Sequence, residues 1–269
     1  MVCRKKSNLP IGIFDSGVGG LTVFKEVRKI LPAEDIVYLG DTARVPYGTK
    51  SPEVVVKYSV QNVEFLLSKN VKAIVVACNT ASAAALPHLK KSFPEIEIIG
   101  VIDPVVDHIR QSMANIKKIA VIGTNTAISS GAYQNLLNEM AGVTVFSKAC
   151  PLFVPLVEEG MLDHDITYSI IDMYLSEIKK EKIDAIILGC THYPMLKESI
   201  RNYFGQRVSV LDTAYYTALS LSETFKNQKM NKISDQPGKN SFFVTDSVDI
   251  FKNTAESFLD FQISEIFHI

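Results

Sequence analysis

Hydrophobic residues in this 269-residue chain come in two rhythms. Short continuous runs are rich in β-branched residues and too brief for helices: "IGIF" at 11–14, "IVYLG" at 36–40, "AIVVAC" at 73–78, "EIIGVI" at 97–102, "KIAVIG" at 118–123, "VTVFS" at 143–147, "AIILGC" at 185–190, "VSVL" at 208–211 and "SFFVT" at 241–245. They predict strands. Between them lie longer segments of helical period. "LTVFKEVRKIL" sets Leu21, Phe24, Val27 and Leu31 along one face, and Ser51-Pro52 puts a cap and a pre-set first turn ahead of "EVVVKYSVQNVEFLLSK". Strands alternating with helices predict crossover units, hence an α/β fold with mostly parallel sheets. The polar stretch "KNQKMNKISDQPGKNS" at 226–241 breaks the rhythm and is expected to be a mobile loop before the last strand and helix.

The pattern also repeats. "AIVVACNTAS" at 73–82 and "AIILGCTHYP" at 185–194 each end an apolar run on a cysteine and two polar residues, with Cys78 and Cys190 112 residues apart. Ser16, after "IGIFD", and Thr124, after "IAVIG", are 108 apart, while Asp103, closing "GVID", and Asp212, closing "VSVLD", are 109 apart. Landmarks in the same order describe an internal duplication. Each copy would run strand, hydroxyl-bearing loop, helices, strand, cysteine, helix and a strand ending in aspartate. Ligands of open α/β sheets sit beyond the carboxyl ends of the strands, where helix N-termini also point. Ser16, Cys78, Thr124 and Cys190 all stand at such ends. Two facing halves would therefore hold one small ligand between two thiols.

Composition narrows the partners. Apolar residues make up 47% of the chain, enough to fill a core, and 28 Lys and Arg against 29 Asp and Glu leave no large field to draw in nucleic acid or anionic lipid. The start "MVCRKKSNLP" leads into no signal-like apolar stretch, and no run of ~18 uncharged apolar residues follows, so a soluble cytoplasmic protein is expected, with no membrane partner. Four cysteines, Cys3, Cys78, Cys150 and Cys190, are sparse and widely spaced and are expected to be free thiols.

Two opposed thiols suit a racemase or epimerase, which takes a proton from one face of a carbon and returns one to the other. A cysteine with an ordinary pKa of about 8.5 becomes a thiolate near neutrality beside a cation or a helix N-terminus. The charge left on the carbon must be met by preorganised donors, for which backbone N–H groups near Gly17, Gly19 and Gly20, with Asn79, Thr80 and Thr191, are placed. A lone cysteine at a strand end is usually a small buried hydrophobe; Cys3 and Cys150, without matched partners, keep that reading. Cys190-Thr191-His192 offers at most two local zinc ligands, so no metal is expected. "GVGG" departs from the dinucleotide fingerprint and Asp15 beside it would repel a pyrophosphate, so no nucleotide cofactor is expected either. His88, His108, His164 and His268 read as surface or packing residues, and His192 alone lies inside the repeated device.

The motifs "GIFDSGVGGLTV", "PYG" at 46–48, "ACNTAS", "PLFVPLVEEG" and "GCTHYP" resemble the glutamate racemase family, within the wider aspartate/glutamate racemase group, and the likeness runs from about residue 11 to "FFVTDSVDIFKNTAESFL". The resemblance implies two pseudo-symmetric three-layer α/β domains, residues 1–103 with 213–269 and residues 104–212, with the active site between them. It implies cofactor-independent interconversion of L- and D-glutamate, supplying D-glutamate to bacterial peptidoglycan. Cys190 would take the proton of the L-substrate and Cys78 that of the D-substrate, with Asp15 assisting the first side and Glu158 and His192 the second. Substrate contacts would come from Asp15, Ser16, Tyr47, Gly48, Asn79, Thr80, Thr124 and Thr191. Asp15 has the plainer reading of a helix cap, Glu158 of a solvated charge beside Glu159, and Tyr47 of loop packing. Dimers are common among such enzymes, so a homodimer is expected.

One departure stands out. Where the family often carries a second threonine three residues after "GT", this chain has Ala127, with Thr126 just before it, and both are left out of the site. No basic residue stands in the motifs, so neutral donors would hold the carboxylates, which weakens any choice of glutamate over aspartate. A racemase for aspartate or a hydantoin shares the two-thiol device. A non-catalytic protein binding an acidic ligand would leave the matched thiols unexplained.

Overall fold

The computed structural model describes residues 6–113, 115–259, 261, 263 and 265–269, so Cys3 lies outside the described residues. Every run read above as a strand is one. The first sheet takes β1 (Ile11–Asp15), β2 (Ile36–Gly40), β3 (Ala73–Val76) and β4 (Glu97–Gly100); the second takes β5 (Lys118–Gly123), β6 (Thr144–Ala149), β7 (Ala185–Gly189) and β8 (Ser209–Asp212). The chain then returns to the first sheet through β9 (Asn240–Val244) and β10 (Ile266–His268). Strand orders are β10-β9-β2-β1-β3-β4 and β6-β5-β7-β8, with every pairing parallel. The duplication is thus one of topology, since 2-1-3-4 and 6-5-7-8 are the same arrangement. β10 went unpredicted because its three residues carry too short an apolar pattern to separate from a tail.

Helices join the strands: α1 (Leu21–Ile30), α2 (Pro52–Ser68), α3 (Asn79–Ser92) and α4 (Ile102–Ser112) in the first half, then α5 (Asn125–Ser129), α6 (Ala132–Asn138), α7 (Phe153–Glu158), α8 (Asp165–Lys180) and α9 (Lys197–Phe204) in the second. α10 (Thr213–Gln228) leads back to the first sheet and α11 (Val248–Phe258) lies between β9 and β10. β1, β2, β3 and β7 are buried along their whole length, as strands covered on both faces should be. α10 packs on both α1 and α4, and one apolar cluster runs from Ile13, Phe24 and Val105 through Ala218 and Leu221 to Ile122 and Ile187. The halves are therefore joined by a shared core and not by a solvated linker.

Two expectations need correction. Asp103 does not end a strand: β4 stops at Gly100 and Asp103 sits in the first turn of α4, whereas Asp212 does end β8 and caps α10, accepting from Ala214 N at 2.9 Å. The polar stretch at 226–241 includes the last turn of α10 and the start of β9. Its middle is irregular yet tied down, with Lys232 N donating to Glu34 Oε1 at 2.8 Å and Lys239 N to Asp35 Oδ1 at 2.8 Å.

Candidate active site

The matching topology brings the carboxyl ends of β1 and β3 against those of β5 and β7. Cys78 follows β3 as the N-cap of α3, and Cys190 follows β7; both are nearly buried, at 5% and 6% exposure. They line one cavity of about 30 Å³. Ser16, Tyr47, Gly48, Asn79, Thr80, Thr124, Thr191 and His192 complete most of its wall. Asp15 and Glu158 stand behind that wall instead of in it.

Glycines make the approach of the two halves possible. A Cβ on Gly19 would lie 2.6 Å from His192 Cε1, and one on Gly20 would lie 2.9 Å from both Asp15 Cγ and the Tyr38 hydroxyl. Gly19 thus serves close packing across the seam, where a side chain would meet Thr191 and His192, while Gly20 lets the loop after β1 close over Asp15 and Tyr38 within the first half.

On the first side, Asp15 is fully buried, accepts from Gly17 N at 2.9 Å and from Thr191 Oγ1 at 3.4 Å. Burial pushes its carboxyl up, against the pull of His192, the N–H groups of Gly17 and Gly20, and Thr191. It orders the loop after β1 and does not cap α1, whose N-cap Gly20 has no side-chain cap. Cys78 Sγ lies 3.9 Å from Ser16 Oγ, and burial, then the charge of Asp15, raises the thiol to about 12.

The second side is built differently. Cys190 Sγ lies 3.9 Å from His192 Nδ1, and His192 Nε2 lies 3.0 Å from Glu158 Oε1. Burial by itself would lower the imidazole, but the hydrogen bonds with Cys190 and Glu158 and the charges of Cys190 and Asp15 outweigh it and hold the ring up to about 10. Glu158 keeps 40% of its side chain exposed and lines a neighbouring cavity of about 380 Å³ with Gly17, Val18 and Phe251.

Hydroxyls and a turn close the remaining walls. Thr80 and Thr124 Oγ1 atoms meet at 2.9 Å across the seam, and Thr124 also caps α5, accepting from Ala127 N at 3.2 Å. Tyr47 begins a short turn, Tyr47–Thr49, whose Gly48 packs on Thr124. The Tyr47 hydroxyl donates to Asp41 and accepts from Asn62 Nδ2 at 3.1 Å, so it is tied into the wall. Thr126 donates to Gly48 O at 2.9 Å and Lys50 O at 3.2 Å, clasping that turn, while Ala127 is fully buried. Cys150 is buried away from the cavity lining, His108 stacks on Tyr216 and His164 caps α8 through Nδ1.

Sequence reasoning missed Val45, Pro46 and Val154 in the cavity wall and Tyr133 behind it. Val154 had a signal, because it lies four residues before Glu158 and so on the same face of α7. Tyr133 had none, since its partner is Asn79 in the other half.

With the geometry in view, the chain's relatives are informative. A sequence model of the Asp/Glu/Hydantoin racemase family matches residues 11–219. The glutamate racemase of Aquifex aeolicus is 52% identical over 221 residues, covering 82% of this chain and 85% of that one. That of Geobacter metallireducens is 42% identical over 260 residues, 96% of each. Among solved structures, glutamate racemase from Francisella tularensis in complex with D-glutamate superposes with a TM-score of 0.91 at 37% identity, covering 98% of both chains.

Proposed function

The chain belongs to the Asp/Glu/Hydantoin racemase family, and we propose that it racemises glutamate without a cofactor, passing protons across the cavity between Cys78 and Cys190. One observation carries the reading: two cysteines at equivalent ends of two equivalent sheets line the same cavity. Proton transfer to opposite faces of one carbon makes equal use of both.

With L-glutamate bound, the α C–H bond breaks toward Cys190 Sγ, whose neighbour His192 is an imidazolium held up to about 10. The electron pair stays on the α-carbon and its carboxylate. Cys78, a thiol raised to about 12, then gives its proton to the opposite face, forming the C–H bond of D-glutamate. The reverse reaction exchanges the roles. Asn79, Thr80, Thr124, Thr191 and Ser16 hold the carboxylates as neutral donors. Asp15 orders the first side from behind and Glu158 steadies His192 on the second. A cavity of about 30 Å³ has room for about two waters, so the halves part to admit the amino acid.

The same reading divides the chain into residues 1–103 with 213–269 and residues 104–212, and makes it a cytoplasmic homodimer whose D-glutamate serves bacterial peptidoglycan. Among the described residues no helix is long and apolar enough to cross a membrane. The test is incubation of purified protein with L-glutamate, and separately L-aspartate, without added cofactor in deuterated water, followed by chiral analysis. Early D-glutamate should be almost fully deuterated at the α-carbon while remaining L-glutamate stays mostly unlabelled. Product unlabelled in both directions would exclude two opposed thiols, and turnover of aspartate alone would overturn the choice of substrate.

A further inference from the structure

Asn79 opens α3 directly after Cys78, is 2% exposed and lines the cavity between the two cysteines. Its carboxamide is half satisfied. Oδ1 accepts from the Tyr133 hydroxyl at 2.5 Å, whereas Nδ2 is buried with no hydrogen-bond partner. A buried N–H pair left unbonded costs about 1–3 kcal/mol, so its retention in a cavity wall points to an acceptor that arrives with a ligand.

Tyr133 comes from α6 in the other half of the molecule and is fully buried. Its ring packs on Gly189, where a Cβ would lie 3.2 Å from Cε2, so the absent side chain gives the ring its place. Burial, then the charges of Cys190 and Asp103, raise its pKa, so the group remains a neutral phenol with a proton to donate. Among the described residues that proton has no acceptor except Asn79 Oδ1. Were the carboxamide flipped, the hydroxyl proton would be stranded and Oδ1 would face the cavity, repelling a carboxylate.

We propose that Tyr133 is a positioning residue for the substrate: by donating across the seam to Asn79 Oδ1, it fixes the carboxamide with Nδ2 turned into the cavity, where Nδ2 donates to a substrate carboxylate. This rests on the racemase reading of the same site. It also ties carboxylate recognition to closure, because donor and amide belong to different halves.

Tyr133→Phe keeps the ring and removes only the donor. The expected result is a rise in KM for both enantiomers of about tenfold, as for loss of one hydrogen bond to a charged group, with kcat within about twofold. Asn79→Ala should raise KM at least as much, and adding Tyr133→Phe to it should change KM no further, because the hydroxyl acts only through the amide. A drop in kcat at unchanged KM, or additive effects in the double variant, overturns the proposal. If the native protein turns over aspartate instead, the glutamate reading falls while the same comparison is made on aspartate. A second measurement needs no substrate: the Asn79 side-chain NH₂ pair, followed by nitrogen-15 NMR in the ligand-free protein, should be sharp in the native chain and broadened by flipping in Tyr133→Phe. An unchanged pair overturns the positioning role whatever the enzyme's substrate.

Discussion

The Cys78 side and the Cys190 side of the cavity come from the same topology, yet the groups behind their sulfurs differ. Behind Cys78 stands Asp15, fully buried, with Ser16 as the thiol's neighbour, and the thiol is pushed up to about 12. Behind Cys190 stands a chain of titratable groups, His192 and then Glu158, and Glu158 is 40% exposed to the larger cavity next door. The strands and cysteines of the two halves are equivalent, as the proposed chemistry on both faces of one carbon requires. What lies behind them differs, so only the second side has a hydrogen-bonded route from sulfur to a solvent-facing carboxylate. On the proposed mechanism both sulfurs must be reset between turnovers, and Cys190 is the one with this route toward water.

The comparison is broken most severely by removing a sulfur. Cys78→Ala and Cys190→Ala should each cut racemisation in both directions by roughly 10³ or more, the scale of a lost proton-transfer group; substantial activity in either, assayed by chiral analysis, would make the two sides non-equivalent in chemistry too. Glu158→Gln touches the second side alone. Its loss should lower kcat/KM for L-glutamate roughly 10- to 100-fold. The pH profile then supplies the sign: His192 carries its proton below about 10, so activity from L-glutamate should fall as pH rises through that value. Without the carboxylate the imidazolium is less stabilised, so the alkaline limb moves to lower pH. A limb that stays put would cut Glu158 out of the relay.

Asp15→Asn sharpens the other side. The Asp15 charge, second to burial, raises Cys78, so neutralising it should lower the thiol, and only partly because burial remains. Titration of thiolate ultraviolet absorbance in a background with Cys3, Cys150 and Cys190 all replaced by Ala measures this, and a thiol that rises would reverse the electrostatic account. Thr124→Val removes a hydroxyl that meets Thr80 and caps α5; a loss of about 1 kcal/mol in stability is expected from the cap, read as a lower thermal midpoint, with a several-fold rise in KM. The smallest effect should come from Cys150→Ala. That buried residue is not in the cavity wall, so kcat should stay within about twofold while stability falls by about 1 kcal/mol, and a larger kinetic change would mean that distant packing sets the seam.

Nine apolar runs announced nine strands: β1, β2, β3, β4, β5 and β7 are buried over all or nearly all of their length and have no polar side to conceal them, while the partly exposed β6, β8 and β9 were legible through their β-branched and aromatic residues. The repeat near 110 residues announced the pairing of Cys78 with Cys190, and the polar residues beside each cysteine came with it because they are its chain neighbours at a strand end. The landmark at Asp103 failed for a local reason. β4 stops at Gly100 and the chain enters α4 before reaching the aspartate, which an alignment of endings cannot see.

The strands, their parallel α/β arrangement and the matched pair of thiols were therefore legible in the sequence itself, through local hydrophobic pattern and internal repetition, whereas the strand order came only with the structure. The tertiary structure alone decided which polar groups face the cavity and which stand behind it. Asp15 and Glu158 were legible as candidate site residues, but their position behind Thr191 and His192 depends on how closely the two halves approach, and Gly19, against Thr191 and His192, permits that approach. Tyr133 and Asn79, 54 residues apart, carry no mutual pattern along the chain. Their hydrogen bond exists because the shared core around α4 and α10 fixes the orientation of the halves, and such an orientation is the sum of many distant contacts, none of which is written in any one segment.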